Sequence, residues 1–268
     1  MAYIIDNHTH SNFSPDSKMS IESAIDVAKN IGINGLAITD HIDLNAPGDN
    51  SKFIFDPLSR RESILKSNSD ENFLLLDGVE VGLLVSNLEE LSNFVKGYPF
   101  DVVIGSVHFI DGLDPYEGSY YSGIDEITAY SGYLELISNL ISRFPDFDIL
   151  GHYDYIARYS PYINKTIRYR QYSDYFDSIF KTLIYNGKSI EINTNSFRRR
   201  GDSAPTLDMD VIVRYREMGG EFISLSSDAH STNRIAEGFD NYYSVIKNCG
   251  FKYITHYKNR VAYPMKIV

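Results

Sequence analysis

The sequence predicts an α/β protein whose central sheet is parallel and either open or closed into a barrel. Two observations lead to this prediction: short apolar runs alternate with helical periodicity about seven times, and no Pro-, Gly- or Ser-rich linker interrupts them. The apolar runs are nearly continuous, which is typical of strands that are covered on both faces. Repeated strand–helix units of this length build parallel sheets. We therefore expect one domain over residues 1–268.

The predicted elements follow one another in a regular order. The first run, YIID, precedes a helix with Ser20 as its N-cap and Gly32 as its stop. One face of this helix carries Ile21, Ala24, Ile25 and Ala28. The later strand-like runs are GLAITDH, FLLLDGVEVGL, DVVIGSVHF, DILGHYDY, SIEINTN and FISLSSDAH. The later helices are expected at about 58–66, 88–95, 127–144, 172–183, 208–218 and 235–247, before KYITHY and an irregular tail.

Composition excludes several classes of protein. The net charge of −11, from 25 basic and 36 acidic residues, disfavours nucleic acid as a partner. The single cysteine, Cys249, rules out an intrachain disulfide and fits a reducing cytoplasm. The start MAYIIDNHTH has no basic segment of the kind that opens a signal peptide, and no long apolar run predicts a membrane span. We expect a cytoplasmic protein that has no membrane partner and that could form an oligomer.

Side chains that suit metal chemistry collect at the ends of the strand-like runs. In chain order these ends contain His8 and His10, His41, Glu80, His108, His152, Asn193 and Asn195, and Asp228 and His230. Of the seven histidines, only His256 lies elsewhere. Because the carboxyl ends of parallel barrel strands meet on one face, we expect these side chains to share one small volume.

A metal cluster explains this collection better than separate structural roles do. A lone histidine at a strand end is usually a satisfied polar residue, but strand alternation places His8 and His10 on the same side of the chain. Burying so many unpaired imidazoles and carboxylates together would be costly, and metal ions remove that cost. Nitrogen and oxygen ligands without thiolate favour Zn, Mn or Fe. With Asp16 included there are nine candidate ligands, which suit two or three divalent transition metal ions.

The same segments carry a family resemblance. The motifs DNHTHSNFSPD, AITDH, DGVEVG, IGSVHF, LGHYDYI, EINTN and SSDAH occur in this order across nearly the whole chain. The sequence resembles the polymerase and histidinol phosphatase (PHP) superfamily of metal-dependent phosphoesterases. Its length and intermediate motifs are most similar to the stand-alone L-histidinol-phosphate phosphatases of that superfamily. The resemblance implies a distorted (β/α)7 TIM-like barrel with the metal site at the C-terminal ends of the strands.

The resemblance also implies a trinuclear site. One metal would take His8, His10, Glu80 and Asp228; a second would share Glu80 and add His108 and His152; a third would take Asp16, His41 and His230. Asp16 lies in the loop from Ser11 to Lys18. By the same resemblance, Arg158 and Arg198 look like a phosphate clamp, and arginine suits this role because it can bind phosphate bidentately.

Other charged residues have simpler interpretations. Arg199 and Arg200 could belong to a solvated turn, and Lys165, Arg168 and Arg170 to a rim or an exposed helix face. The acids Asp40, Asp43 and Asp154 are either partners that orient the ligand imidazoles or ordinary surface acids.

The implied activity is hydrolysis of L-histidinol phosphate to L-histidinol and inorganic phosphate, a step of histidine biosynthesis, by attack of a metal-bound hydroxide. Glu80 would bridge two metals. The proton for the leaving alkoxide could come from Asp16, His41, His230 or Asp228, and His41 also faces the phosphate in this interpretation. The substrate would be a small phosphate ester. Alternatives are another phosphate monoester, a nucleic-acid phosphodiester, or metal binding without catalysis.

Overall fold

The computed structural model describes residues 3–48, 50–67 and 70–268. Its centre is a nearly closed barrel of parallel strands, which confirms the predicted fold class. The strands are β1 (Ile5–Thr9), β2 (Gly35–Ile38), β3 (His41–Ile42), β4 (Leu74–Gly82), β5 (Val102–Ser106), β6 (Ile149–Leu150), β7 (Ser189–Asn193) and β8 (Ile223–Ser226). Around the barrel the order is β1-β2-β4-β5-β6-β7-β8, and the short β3 pairs with the end of β4.

The barrel closes between β8 and β1 through a few contacts instead of a continuous ladder. Thr9 forms a parallel bridge with Ala229, and the amide of Asp228 donates to the carbonyl of His8 at 2.9 Å. The Asn7 side chain donates from Nδ2 to the carbonyl of Leu225 at 3.1 Å. This closure makes the carboxyl ends of the first and last barrel strands neighbours.

Apart from one short helix, the helices that surround the barrel lie where periodicity predicted them. Their bounds are α1 (Ile21–Ile31), α2 (Pro57–Ser67), α3 (Leu88–Gly97), α4 (Glu126–Arg143), α5 (Tyr155–Tyr159), α6 (Ser173–Tyr185), α7 (Met209–Glu217) and α8 (Phe239–Asn248). The capping of α1 is as expected, because Ser20 accepts from the amide of Ser23 and Gly32 is left-handed at φ 83°. Among the described residues, no helix is both long and apolar enough to cross a membrane.

The helices differ from the prediction in two respects: one short helix is additional, and the last helix begins later. The helix α5 was not predicted, because five residues are too few to show a 3.6-residue period. The last helix begins at Phe239 and not near Ile235. Its predicted first turn is broken because Ala236 and Gly238 both have positive φ, at 53° and 77°.

The prediction of an irregular tail was wrong. The last segment forms an antiparallel hairpin of β9 (Tyr253–Lys258) and β10 (Val261–Lys266). Pro264 is tolerated because β10 is an edge strand, where a missing amide costs no internal bond. The hairpin presents Tyr257 to an apolar cluster made of Ile5, Ala37, Leu76, Val102, Ile104 and Ile149. Several of these residues begin their strands, so the hairpin covers the amino end of the barrel and leaves the carboxyl end open.

Candidate metal centre and active site

Glu80 lies at the centre of the polar cluster at the carboxyl end of the barrel. It occupies β4, where it is 1% exposed. Its Oε2 atom approaches His41 Nδ1 at 2.8 Å, His8 Nε2 at 3.3 Å and His10 Nε2 at 3.5 Å. Its Oε1 atom approaches His152 Nε2 at 2.9 Å and His108 Nε2 at 3.3 Å. Burial favours the neutral acid, yet the charges of His8, His41 and His108 hold the pKa of Glu80 well below its usual value. One ionised carboxylate therefore faces five imidazoles.

Asp228 completes the cluster from the β8 side of the barrel seam, the junction at which β8 meets β1. It follows β8 with a left-handed backbone at φ 51°, a conformation that costs free energy for a residue with a side chain. Its Oδ1 atom lies 3.4 Å from His10 Nε2 and 3.8 Å from His8 Nε2. Its Oδ2 atom accepts from Arg158 Nη1 at 2.9 Å and from Asn195 Nδ2 at 3.0 Å. One carboxylate oxygen thus faces the histidines while the other is held by cationic and amide donors.

Asp16 reaches the cluster from its loop. Its side chain is 50% exposed, and Oδ2 lies 3.1 Å from His230 Nε2 and 3.7 Å from His41 Nε2. Burial opposes ionisation, but the contacts with His230 and His41 lower the pKa of Asp16. The His10 ring stacks between the rings of His41 and His230 at centroid distances of 4.2 and 4.0 Å. The loop therefore folds back as the resemblance implied.

The cluster has the properties of a cation site. Four of the buried atoms that face one another in the cluster have no hydrogen-bond partner among the described residues: His8 Nε2, His10 Nε2, His41 Nδ1 and Glu80 Oε2. Ligand atoms within 4.8 Å of one another form the groups His8–His10–Glu80, Glu80–His108–His152, His10–His41–His230 and His41–Asp43–His108. Unpartnered buried nitrogens facing a carboxylate are costly, and a divalent cation between them removes that cost. The donor set fits metal ions, and the nine predicted ligands lie together here.

Several polar residues hold the imidazoles from behind. His10 Nδ1 contacts Ser14 Oγ at 3.1 Å, and Ser14 in turn donates to Asp40 Oδ1 at 2.8 Å. His108 Nδ1 contacts Asp43 Oδ1 at 3.2 Å. His8 Nδ1 contacts Glu191 Oε1 at 2.8 Å. Such contacts select the tautomer of a ligand imidazole and fix its orientation.

These contacts decide between the two interpretations of the three acids. Asp40, Asp43 and Asp154 are all buried, so the interpretation as surface acids was wrong. Asp43 contacts the His108 imidazole directly, Asp40 contacts that of His10 through Ser14, and Asp154 accepts from Ser196. Sequence reasoning missed Glu191. The available signal was a charged residue inside the apolar run SIEINTN, spaced by two from Asn193 and so on the same side of the strand.

A cavity of ≈ 350 Å³ opens above the cluster. Its wall combines carboxylates, aromatic rings and one arginine: Asp43, Asp114, Tyr116, Tyr155, Tyr159 and Arg158. The Tyr155 hydroxyl donates to Asp114 Oδ1 at 3.0 Å, which orients that carboxylate. The cavity is large enough for a small ligand and brings it directly against the histidines.

The two predicted clamp arginines differ in position. Arg158 lines the cavity at 3% exposure; its Nη1 is bound to Asp228, its Nε to Ser196 Oγ at 3.0 Å, and its Nη2 has no partner. Arg198 does not line the cavity; it pairs with Glu237 and donates to Asn195 Oδ1 at 3.0 Å, while its buried Nη2 is also unpartnered. Arg158 therefore lines the cavity, whereas Arg198 contacts the cavity only through Asn195.

The remaining arginines divide between the two earlier interpretations. Arg199 is exposed, as expected for a solvated turn. Arg200 is half-buried: it donates twice to Asn195 and lies over the Tyr159 ring at 5.4 Å, so the solvated-turn interpretation fails for it. Arg168 and Arg170 are exposed, and Lys165 is half-buried; none of the three lines the cavity.

Comparison with known proteins places this site in context. The PHP domain family profile matches residues 6–195. A Clostridium acetobutylicum protein named "Probable histidinol-phosphatase" is 35% identical over 262 residues, with 97% of this chain and 99% of that protein covered. The histidinol-phosphatase of Lactococcus lactis subsp. lactis is 29% identical, with 92% and 91% covered.

Solved structures agree with these sequence matches. The crystal structure of histidinol phosphate phosphatase from Lactococcus lactis, complexed with Zn, L-histidinol and phosphate, superimposes with a TM-score of 0.87 at 26% identity, covering 97% of this chain and 98% of that one. A structure from Listeria monocytogenes has a TM-score of 0.73 at 18% identity, covers 89% of this chain and all of that one, and supports the fold alone.

Proposed function

The chain belongs to the PHP domain family, and from this premise we propose that it is a metal-dependent phosphatase that hydrolyses L-histidinol phosphate to L-histidinol and inorganic phosphate. The observation that carries the proposal is the juxtaposition of two features. Five imidazoles surround Glu80, and Arg158, whose buried Nη2 has no partner among the described residues, lines the adjacent cavity. Such an enzyme would act in histidine biosynthesis in the cytoplasm.

We propose that two or three divalent ions, Zn, Mn or Fe, occupy the cluster. His8, His10, Glu80 and Asp228 would hold one; Glu80, His108 and His152 a second; and Asp16, His41 and His230 a third. When bound, the ions would activate water at neutral pH and offset the charge of the phosphoryl oxygens. Glu80 suits a shared position because its two oxygens face different histidines.

Arg158 is the residue that we assign to the phosphoryl group. The Nη1 bond to Asp228 and the Nε bond to Ser196 hold the guanidinium plane in place before substrate arrives. A fixed donor that meets developing negative charge stabilises the transition state without reorganisation. Arg198 supports the same region, because its bond to Asn195 orients an amide that also holds Asp228.

The leaving oxygen takes up a proton during hydrolysis. Asp16 and His230 both line the cavity, and Asp16 Oδ2 lies 3.1 Å from His230 Nε2. Where two ions leave the third position empty, we propose that His230 Nε2 donates this proton to an ester oxygen bound beside it, with Asp16 as its ionised partner. Asp228 and Glu80 would serve by holding the metal-facing imidazoles in place.

The cavity wall supports a cationic substrate. Asp43 and Asp114 provide negative charge, and the rings of Tyr116, Tyr155 and Tyr159 provide faces on which a cation or an imidazole can lie. Histidinol phosphate carries both an ammonium group and an imidazole. A wall of this kind would favour it over a neutral phosphate ester.

The test is a comparison of kcat/KM for L-histidinol phosphate, p-nitrophenyl phosphate and single-stranded DNA with Zn²⁺- or Mn²⁺-loaded protein. We expect L-histidinol phosphate to be the best substrate by a wide margin. Equal turnover of p-nitrophenyl phosphate, or faster cleavage of DNA, would refute the proposed specificity. No phosphate release with either metal would instead favour a binding protein.

A further inference from the structure

Glu191 is a buried carboxylate that contacts two of the proposed metal ligands from outside the cluster. We propose that Glu191 is the positioning residue of the metal centre, holding His8 and His152 so that the Nε2 atom of each faces Glu80. The inference rests on the proposed metal-dependent function, and it concerns assembly of the site and not contact with substrate.

The contacts of Glu191 span three separate parts of the barrel. It lies in β7 and is 1% exposed. Oε1 lies 2.8 Å from His8 Nδ1, at the end of β1. Oε2 accepts from the amide of His152 at 2.7 Å, just beyond β6, and from Asn193 Nδ2 at 3.1 Å. One side chain thus joins the ends of β1 and β6 across the barrel interior.

The contact with His8 selects the tautomer of its ring. An ionised carboxylate only accepts hydrogen bonds, so His8 Nδ1 must carry the proton that is donated to Glu191. In the neutral ring, which is the form that binds a metal ion, His8 Nε2 then presents a lone pair toward Glu80 Oε2 at 3.3 Å and Asp228 Oδ1 at 3.8 Å. A lone pair that faces two acceptor oxygens cannot form a hydrogen bond with either, whereas a cation between them satisfies all three.

The contact with His152 acts through the main chain. His152 Nδ1 is buried and has no hydrogen-bond partner, so no bond at Nδ1 orients its ring. Glu191 fixes the amide of His152 instead, and the preceding Gly151 packs against Ser106 so closely that a Cβ atom would overlap the serine hydroxyl. The bond from the amide to Glu191 and the packing of Gly151 on Ser106 hold the main chain here, and His152 Nε2 lies 2.9 Å from Glu80 Oε1.

Only a carboxylate can serve both contacts at once. Glu191 faces a donor on each oxygen, namely His8 Nδ1–H and the His152 amide. Glutamine has nearly the same shape but offers one acceptor and one donor, so one of these contacts would become a repulsive donor–donor pair. Either the His8 ring would change tautomer, which withdraws Nε2 from the metal, or the His152 amide would lose its partner.

The test compares Glu191→Gln with Asp148→Asn by metal titration of the 268-residue chain. Asp148 is a matched control, because it is a buried carboxylate that accepts from the amide of Val103 and from Arg260 at the opposite end of the barrel. Each protein is stripped with chelator and titrated with Zn²⁺ or Mn²⁺ alone, without substrate. Loss of a residue that orients a ligand imidazole typically weakens metal binding by about 10–100-fold.

We expect that weakening for Glu191→Gln, together with wild-type affinity for Asp148→Asn even if its Tm falls. Wild-type affinity in Glu191→Gln would overturn the proposal. Equal weakening in both variants would also overturn it, because a general loss of packing would then explain the effect. Since no substrate is used, these outcomes are separate from failure of the proposed phosphatase activity, which would appear as metal-loaded wild-type protein without turnover.

A second measurement covers the case in which Glu191→Gln does not fold. Nitrogen-15 NMR of the His8 ring in Zn²⁺-loaded wild-type protein reports the tautomer directly. We expect a protonated Nδ1 and a metal-bound Nε2. A His8 ring that binds metal through Nδ1, with its proton on Nε2, would contradict the assignment.

Discussion

Arg158 combines two contacts within a single guanidinium group. Its Nη1 atom is bound to Asp228 and its Nη2 atom is buried without a partner beside the cavity. The planar guanidinium places these two nitrogens on a rigid frame, so the bond to Asp228 also sets the direction of the other donor. Lysine has one flexible ammonium group and cannot serve both positions.

We therefore predict that Arg158→Lys lowers kcat/KM for L-histidinol phosphate by about 10²–10³-fold, the usual cost of removing one transition-state donor. Inhibition by inorganic phosphate should weaken as well. Arg199→Lys is the matched control, because Arg199 is exposed and its guanidinium donates to the carbonyl of Gly201, away from the cavity. Steady-state kinetics with both variants would check this, and an Arg158→Lys enzyme as active as wild type would refute the clamp role of Arg158.

Sequence reasoning worked for side chains whose position follows from fold topology. His8, His41, His108 and His152 come together because parallel strands end on one face, and this convergence is independent of loop detail. The positions of side chains that depend on turn geometry could not be predicted from the sequence. Arg200 packs over Tyr159 because of how the turn after β7 folds, and three consecutive arginines do not reveal which one turns inward.

At the scale of elements, β4 is the strand that organises the site. It carries Glu80, and it ends at Gly82, where a Cβ atom would overlap the carboxylate of Asp43. Asp43 is therefore seated directly on the strand and holds His108 Nδ1 from that position. A glycine is needed here for close approach, since no positive φ requires it.

We predict that Gly82→Ala displaces Asp43, weakens metal binding and lowers kcat/KM, with a stability cost of about 1–3 kcal/mol from overpacking. Gly97→Ala is the matched control, because a Cβ atom there meets nothing within 4 Å. Metal titration and thermal melting of both variants measure the effect. Unchanged metal affinity in Gly82→Ala would show that Asp43 does not support His108.

Element prediction succeeded where a pattern was long enough to define a period. The α1 face of Ile21, Ala24, Ile25 and Ala28 is buried as expected, with its caps in place. The hairpin strand β10 was missed because its residues do not alternate cleanly and Pro264 argued against a strand. β10 pairs with β9 through a two-residue turn at Asn259 and Arg260, both with positive φ, and arginine is not a residue by which such a turn is predicted.

At the scale of the whole molecule, the proposed metal centre would join strands that are distant in sequence. The seam between β8 and β1 has few backbone bonds, yet His8, His10 and Asp228 meet across it. Bound cations would therefore link the two edges of the barrel at the point where its ladder is weakest. This arrangement couples metal occupancy to the stability of the fold.

We predict that chelation lowers the Tm by about 5 °C for each ion removed, relative to protein with metal at 100-fold over its Kd, because each ion that binds the native state alone adds about 2.7 kcal/mol. Reloading with Zn²⁺ or Mn²⁺ should restore the original Tm. Differential scanning calorimetry, with metal content measured on the same samples, checks this. An unchanged Tm after verified metal removal would mean that the ions do not join the barrel seam.

We propose above that this PHP-family chain hydrolyses L-histidinol phosphate through a metal centre around Glu80. The most direct measurement follows phosphate release from L-histidinol phosphate while chelator-stripped protein is reloaded with Zn²⁺ or Mn²⁺, with His8→Ala/His10→Ala run in parallel. We expect activity to rise with bound metal in the wild type, and we expect the double variant to bind less metal and to show no turnover while keeping its fold. Full turnover by the stripped protein, or by the double variant, would contradict it.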